Sequence, residues 1–147
     1  MSTHSTAPLA RPKPREVRRF EGAKGWLEVG ILAPGVVYEV GEGHASEDIG
    51  QSLCTRLDEL VVRFGKVQIS DDWYGITGYD AGARRVVEGW TTKNRGSIER
   101  IHVLLSSKLV AMAVSVSNLV TGGVTTAYTK RADFDRALAA ALAGRSG

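Results

Sequence analysis

The residues best suited to chemistry stand together in the run Asp71-Asp72-Trp73-Tyr74-Gly75. Two adjacent carboxylates could serve as an acid–base pair or hold a metal ion. Consecutive residues at a strand end point to opposite sides, however, and are badly placed to share one proton or one cation. No other Asp, Glu or His stands at a recognisable ligand spacing, so one of the pair reads better as a loop or helix-cap acceptor. Trp73 and Tyr74 are the more informative residues, because aromatic side chains often carry the binding energy of an interface. Packing of Trp73 over the sheet edge is the competing reading.

Nothing else in the sequence assembles a catalytic set. His4, His44 and His102 are scattered, and although His102 could approach Ser106, acyl transfer also needs an orienting acid and an oxyanion site. No nucleophile-elbow pattern is present. The Gly22-Ala23-Lys24-Gly25 run precedes a strand instead of following one, unlike a phosphate-binding loop. Cys54 is the sole cysteine, which excludes an internal disulfide. It lies beside an apolar stripe with no basic neighbour to activate it, so it reads as a buried, inert thiol. The expectation is a protein without catalytic activity, metal or cofactor.

The net charge of +3 suggests nucleic acid until its distribution is considered. Arg11, Lys13, Arg15, Arg18, Arg19 and Lys24 face only Glu16 and Glu21 within residues 1–24, leaving the remainder almost neutral. With Pro8, Pro12 and Pro14 and no apolar periodicity, residues 1–24 read as a disordered basic arm. Specific nucleic-acid binding is not expected. No apolar run is long enough to span a bilayer. Residues 1–10 lack the apolar core of a secretion signal, and the lone cysteine suits a reducing compartment, so the expected location is cytoplasmic.

Residues 25–144 read as a single domain. Trp26–Leu32 and Val36–Val40 flank Pro34-Gly35 as an antiparallel hairpin. Ser46 caps a helix whose apolar positions, Ile49, Leu53, Leu57, Leu60, Val61 and Phe64, recur at helical spacing up to Gly65. Lys66–Ser70 is a short strand, with the aromatic run as the loop after it. Thr77 and Asp80 form a capping box for a second helix that buries Tyr79, Ala83, Val86, Val87 and Trp90 and turns Arg84, Arg85 and Glu88 outward. Ile101–Leu105 suits a central parallel strand. Leu109–Val120, uncharged throughout, suits a third helix with a spare apolar face for a second copy of the chain, a partner helix or a lipid tail. Val124–Tyr128 is an edge strand, and Phe134, Ala137, Leu138, Ala141 and Leu142 mark a last helix. The order β-β-α-β-α-β-α-β-α predicts a mixed, mostly parallel five-stranded sheet with about four helices.

That order over residues 25–143 resembles the STAS-like, anti-sigma-factor-antagonist-like families. The stretches Asp71–Gly75, Gly78–Trp90, Ile98–Val103 and Tyr128-Thr129 with Phe134 and Leu138 are similar to the SEC14-related branch of STAS-like bacterial proteins. In phospho-regulated members the loop after the middle strand carries Asp-Ser-Ser-Gly or a close variant, and charge added to a serine abolishes docking. Asp72-Trp73-Tyr74-Gly75 stands at that position here, with aromatics in place of the serines. The resemblance implies a non-enzymatic regulatory module without the serine switch. Asp72, Trp73, Tyr74 and Gly75, with Arg84 on the adjoining helix, are the expected docking residues for a protein partner. The alternative it implies is a small hydrophobic-ligand or lipid binder.

Overall fold

The computed structural model describes residues 11–107 and 122–145. Six strands lie in one sheet in chain order: β1 (Arg15–Glu21), β2 (Gly25–Ala33), β3 (Val36–Ala45), β4 (Val67–Tyr79), β5 (Ile98–Leu104) and β6 (Thr125–Tyr128). Strands β1 to β3 are antiparallel neighbours, whereas β3 to β6 run parallel. Helix α1 (Glu47–Phe64) joins β3 to β4, α2 (Ala81–Lys93) and a short turn of 3-10 helix join β4 to β5, and α3 (Arg131–Ala143) follows β6.

Local signals set much of this. Gly35, at a positive φ of 77°, turns the β2–β3 hairpin. Ser46 Oγ accepts from the Ile49 N–H at the start of α1, and the Gly65 N–H returns to the Val61 carbonyl at its end. Leu53, Leu57 and Leu60 of α1 pack with Val29, Val37, Ile69, Trp90 and Ile101 in the larger core cluster. On the other sheet face, Phe134 and Leu138 of α3 pack with Val36, Tyr38 and Leu104. The sheet is therefore covered on both faces, as a run of parallel strands requires.

Three expectations are corrected. Residues 15–21, placed in a disordered arm by composition, form edge strand β1, so the sheet has six strands. Charge there is matched by neighbours instead of being left to water: Arg19 pairs with Glu21 at 2.7 Å and Glu28 at 2.9 Å, and Glu16 accepts from Arg63 at 2.8 and 2.9 Å. An edge strand carries such charges readily because both its faces and one side stay near solvent. Second, Lys66–Ser70 is only the start of β4, which continues to Tyr79, so Trp73 and Tyr74 lie within a strand and not in a loop. The partner strand β3 is correspondingly long, running through Gly41 and Gly43 to Ala45 instead of ending at Val40. Gly43 sits at a positive φ of 77°, and a Cβ there would collide with the Lys24 carbonyl, so this glycine permits close backbone approach. Third, Thr77 is a strand residue and no cap. Asp80 precedes α2 but its carboxylate accepts from the Glu47 N–H at 3.2 Å and pairs with His44 Nε2 at 2.6 Å, tying the start of α1 to the start of α2. The helix expected over Leu109–Val120 lies outside the described residues, among which three α-helices are present.

Candidate functional site

Alternation along β4 sends Asp71 and Trp73 to the α1–α2 face and Asp72 and Tyr74 to the α3 face. On the α3 face Asp72, 1 % exposed, receives both guanidinium nitrogens of Arg131, at 3.0 and 3.1 Å, and the Tyr38 hydroxyl at 3.1 Å. Arg11 Nε stands 3.9 Å away. The Arg131 guanidinium also lies 5.8 Å from the centre of the Tyr74 ring. Burial, and then the Asp72 charge, push the Tyr38 hydroxyl above its usual range, so it remains a donor. This cluster fastens α3 to the end of β4. Nearby, His102 Nδ1 meets the Tyr128 hydroxyl at 2.9 Å, giving that histidine a tyrosine partner across β5 and β6. Burial, then the Arg100 charge, hold His102 below its ordinary pKa.

The α1–α2 face holds a cavity of about 200 Å³ at the carboxyl ends of the parallel strands. Its walls are mainly apolar: Leu27 from β2, Ile49 and Leu53 from α1, Ile76 from β4, Ala83 and Val87 from α2, and Val103 and Leu105 from β5 and its end. Trp73 and Asp71 line the same space, with Trp26, Tyr79 and Arg84 contributing as well. In open α/β sheets, the carboxyl end of the strands is where ligands bind.

Asp71 stands in register with Glu39 of β3, and both carboxyls are buried, 3 % and 1 % exposed. Burial raises Glu39 from 4.5 to about 7 and raises Asp71 well above its ordinary value, with the neighbouring Glu39 adding to the Asp71 shift. Glu39 Oε1, Asp71 Oδ1 and Trp73 Nε1 are shut off from solvent, and the Asp71 carboxyl and the Trp73 indole both lie against the Glu39 carboxyl. Cys54, also on this side, is buried; its thiol points at the Val86 carbonyl at 3.8 Å, and burial pushes it up to about 12, which leaves it unreactive.

The expected docking residues are thus divided among different surroundings. Asp72 is buried in an ion pair, Trp73 packs against the larger core, and Gly75 approaches Glu42. Tyr74 is 48 % exposed on the α3 side, whereas Arg84 is on α2, pairing with Glu88 at 3.1 Å. Glu39 escaped the sequence reading. Its signal is a lone acid in the apolar run Val36-Val37-Tyr38-Glu39-Val40, where the α1–α2 face calls for an apolar residue. Among the described residues no group of three or more His, Cys, Asp and Glu is placed to hold a metal ion. No helix among them is long and apolar enough to cross a membrane.

No family model matches the sequence, and no curated protein matches it. Its structure is similar to that of an uncharacterized protein of the DUF3478 family from Shewanella loihica PV-4, described as having a SpoIIAA-like fold. The match covers 89% of this chain and 99% of that one, with a TM-score of 0.59 and 11% identity. The fold is therefore SpoIIAA-like, the STAS-like architecture that the element order indicated.

Proposed function

We propose that this chain binds a small, mostly apolar molecule between the sheet and helices α1 and α2, without catalysing a reaction on it. The observation that carries this reading is the apolar cavity at the carboxyl ends of β4 and β5, with Trp73 turned toward it. Ligand pockets for drug-sized molecules run to roughly 300–1,000 Å³, whereas a cavity of about 150 Å³ holds benzene. A space of about 200 Å³ accordingly suits one ring or a short branched chain and is too small for a two-chain lipid.

Val87 lines the space from α2 and is only partly buried, so a larger side chain there fills the cavity without replacing a residue of the buried core. Ethylbenzene is expected to raise the melting temperature of the wild-type chain in a dose-dependent way, because a ligand that binds only the folded state stabilises it. In Val87→Trp the response is expected to vanish while cooperative melting persists. A ligand response that survives Val87→Trp unchanged would remove the cavity as the binding site.

A second reading, docking of a protein partner, is favoured by Tyr74, an aromatic side chain 48 % exposed on the α3 side of β4. It expects Tyr74→Ala to lose a co-purifying protein while the melting temperature stays within a few degrees of wild type. Undiminished recovery of the partner by this variant would rule the surface out.

A further inference from the structure

We infer that β5 and β6 carry a second site, a seat for the phosphate group of a small soluble molecule, formed by Arg100, His102, Thr126 and Tyr128 on the α3 face. It lies across the sheet from the cavity and does not depend on the ligand proposed there. Arg100 and His102 share one face of β5, Thr126 and Tyr128 share the same face of β6, and His102 stands in register with Thr126. Between the strands Arg100 Nη2 donates to Thr126 Oγ1 at 2.6 Å, and His102 Nδ1 meets the Tyr128 hydroxyl at 2.9 Å. β6 is the last strand of the sheet, Arg100 is exposed and the other three are half-buried, so the block is open to solvent.

This block is rich in donors and short of negative charge. Arg100 Nη1 points at the Gly123 carbonyl at 3.4 Å, and a Cβ at Gly122 would stand 2.6 Å from Arg95 Nη1, so two guanidinium groups border the Gly122-Gly123 turn. The neighbouring acids are engaged elsewhere, Glu99 by Arg145 and Asp133 by Arg136, and neither Arg95 nor Arg100 has a carboxylate partner among the described residues. Thr126 accepts from Arg100 and keeps its own hydrogen to donate. The His102–Tyr128 pair spends one hydrogen on its mutual bond and keeps another, the Tyr128 O–H if the imidazole donates or the His102 Nε2–H if the tyrosine does. Guanidinium, threonine and this pair are thus three sources of donors, matching the three terminal oxygens of a phosphate monoester, whereas a carboxylate has two. A neutral ligand would leave both arginine charges unanswered. The charges that reach the pair are Arg100, on the strand of His102, and Asp133 of α3, beside Tyr128. Burial and Arg100 hold His102 low, and an anion seated between them favours the imidazolium.

Inorganic phosphate, phenyl phosphate, benzoate and sulfate are titrated into the full chain at constant ionic strength, with the Thr126 and Tyr128 amide signals and the His102 ring signals followed by NMR. At pH 7 both phosphates are expected to shift these signals saturably. Benzoate is expected to bind at least about tenfold more weakly than phenyl phosphate, the worth of a charge-assisted hydrogen bond, and Arg100→Ala to weaken phenyl phosphate by a similar factor. Thr126→Val, which keeps the side-chain shape, is expected to weaken it about fivefold. Sulfate, a dianion throughout, is expected to bind more tightly at pH 6 than at pH 8 and to move the His102 titration upward. Unchanged phosphate affinity in Arg100→Ala would overturn the seat, as would benzoate binding as tightly as phenyl phosphate. Retention on phosphatidic acid vesicles with no response to the soluble phosphates would overturn it in favour of a membrane headgroup. A wild-type His102 titration that saturating sulfate leaves in place would overturn it even if Arg100→Ala does not fold.

Discussion

Arg131→Ala is expected to lower the unfolding free energy by about 3 kcal/mol, the lower end of the range for breaking a buried ion pair from one side. The lower end applies because the Arg131 side chain is about one-third exposed and Asp72 keeps the Tyr38 hydroxyl. What remains is a carboxylate 1 % exposed whose two-pronged guanidinium partner is gone. The cost comes mainly from that stranded charge, so removing the charge too should recover part of it. Asp72→Asn in the Arg131→Ala background is therefore expected to be more stable than Arg131→Ala alone, although Asp72→Asn by itself destabilises the wild type. Urea denaturation of the four proteins at pH 7 gives the cycle directly. A loss below about 1 kcal/mol for Arg131→Ala, within the range of an exposed pair, would show that Arg11 and Tyr38 suffice to hold Asp72.

The second large effect is a fall in stability as pH rises through the weakly acidic range. Burial raises the Glu39 carboxyl from 4.5 to about 7, so between those values the folded chain holds a proton that the unfolded chain has released. Stability is then fully present below the unfolded value and is lost as pH climbs toward 7. For a shift of that size the loss is roughly 3 kcal/mol by linkage. Asp71, raised by burial and by Glu39, acts with the same sign. Glu16 and Asp80, lowered chiefly by hydrogen bonds from Arg63 and from His44, act with the opposite sign and matter most at lower pH. His102, lowered by burial, also gains stability as pH rises toward its ordinary value, so the wild-type curve is a sum of opposing slopes. Glu39→Gln isolates the acid pair. It is expected to be more stable than wild type at pH 8, with the difference shrinking toward pH 5. Parallel stability curves for the two proteins between pH 5 and 8 would show that Glu39 is charged throughout.

Several parts of this molecule are written in short stretches of sequence. The Pro34-Gly35 turn, the Ser46 cap and Gly65 stop of α1, and the spacing of Phe134, Leu138 and Ala141 each involve residues within a few positions of one another. Conformational preference and periodic burial act at that range, and the elements formed as those patterns indicate. The opposed directions of Asp71 and Asp72 belong to the same class, since alternation is a property of any strand.

Other features depend on which strands become neighbours. Composition marked residues 15–21 as unstructured because it registers charges but not the Glu28 and Arg63 that meet them. The span of β4 past Ser70 follows from a partner, β3, whose glycines let the two backbones run on together to Tyr79. Trp73 lies against the core because that strand continues, although a loop in the same place would have presented it to solvent. Asp72 and Arg131 meet across 59 residues, and Glu39 meets Asp71 only through the parallel register of β3 on β4. Elements close in sequence thus followed from local chemistry, whereas the buried carboxyls and the cavity beside them arose from register, which sets what lies across the sheet from each side chain.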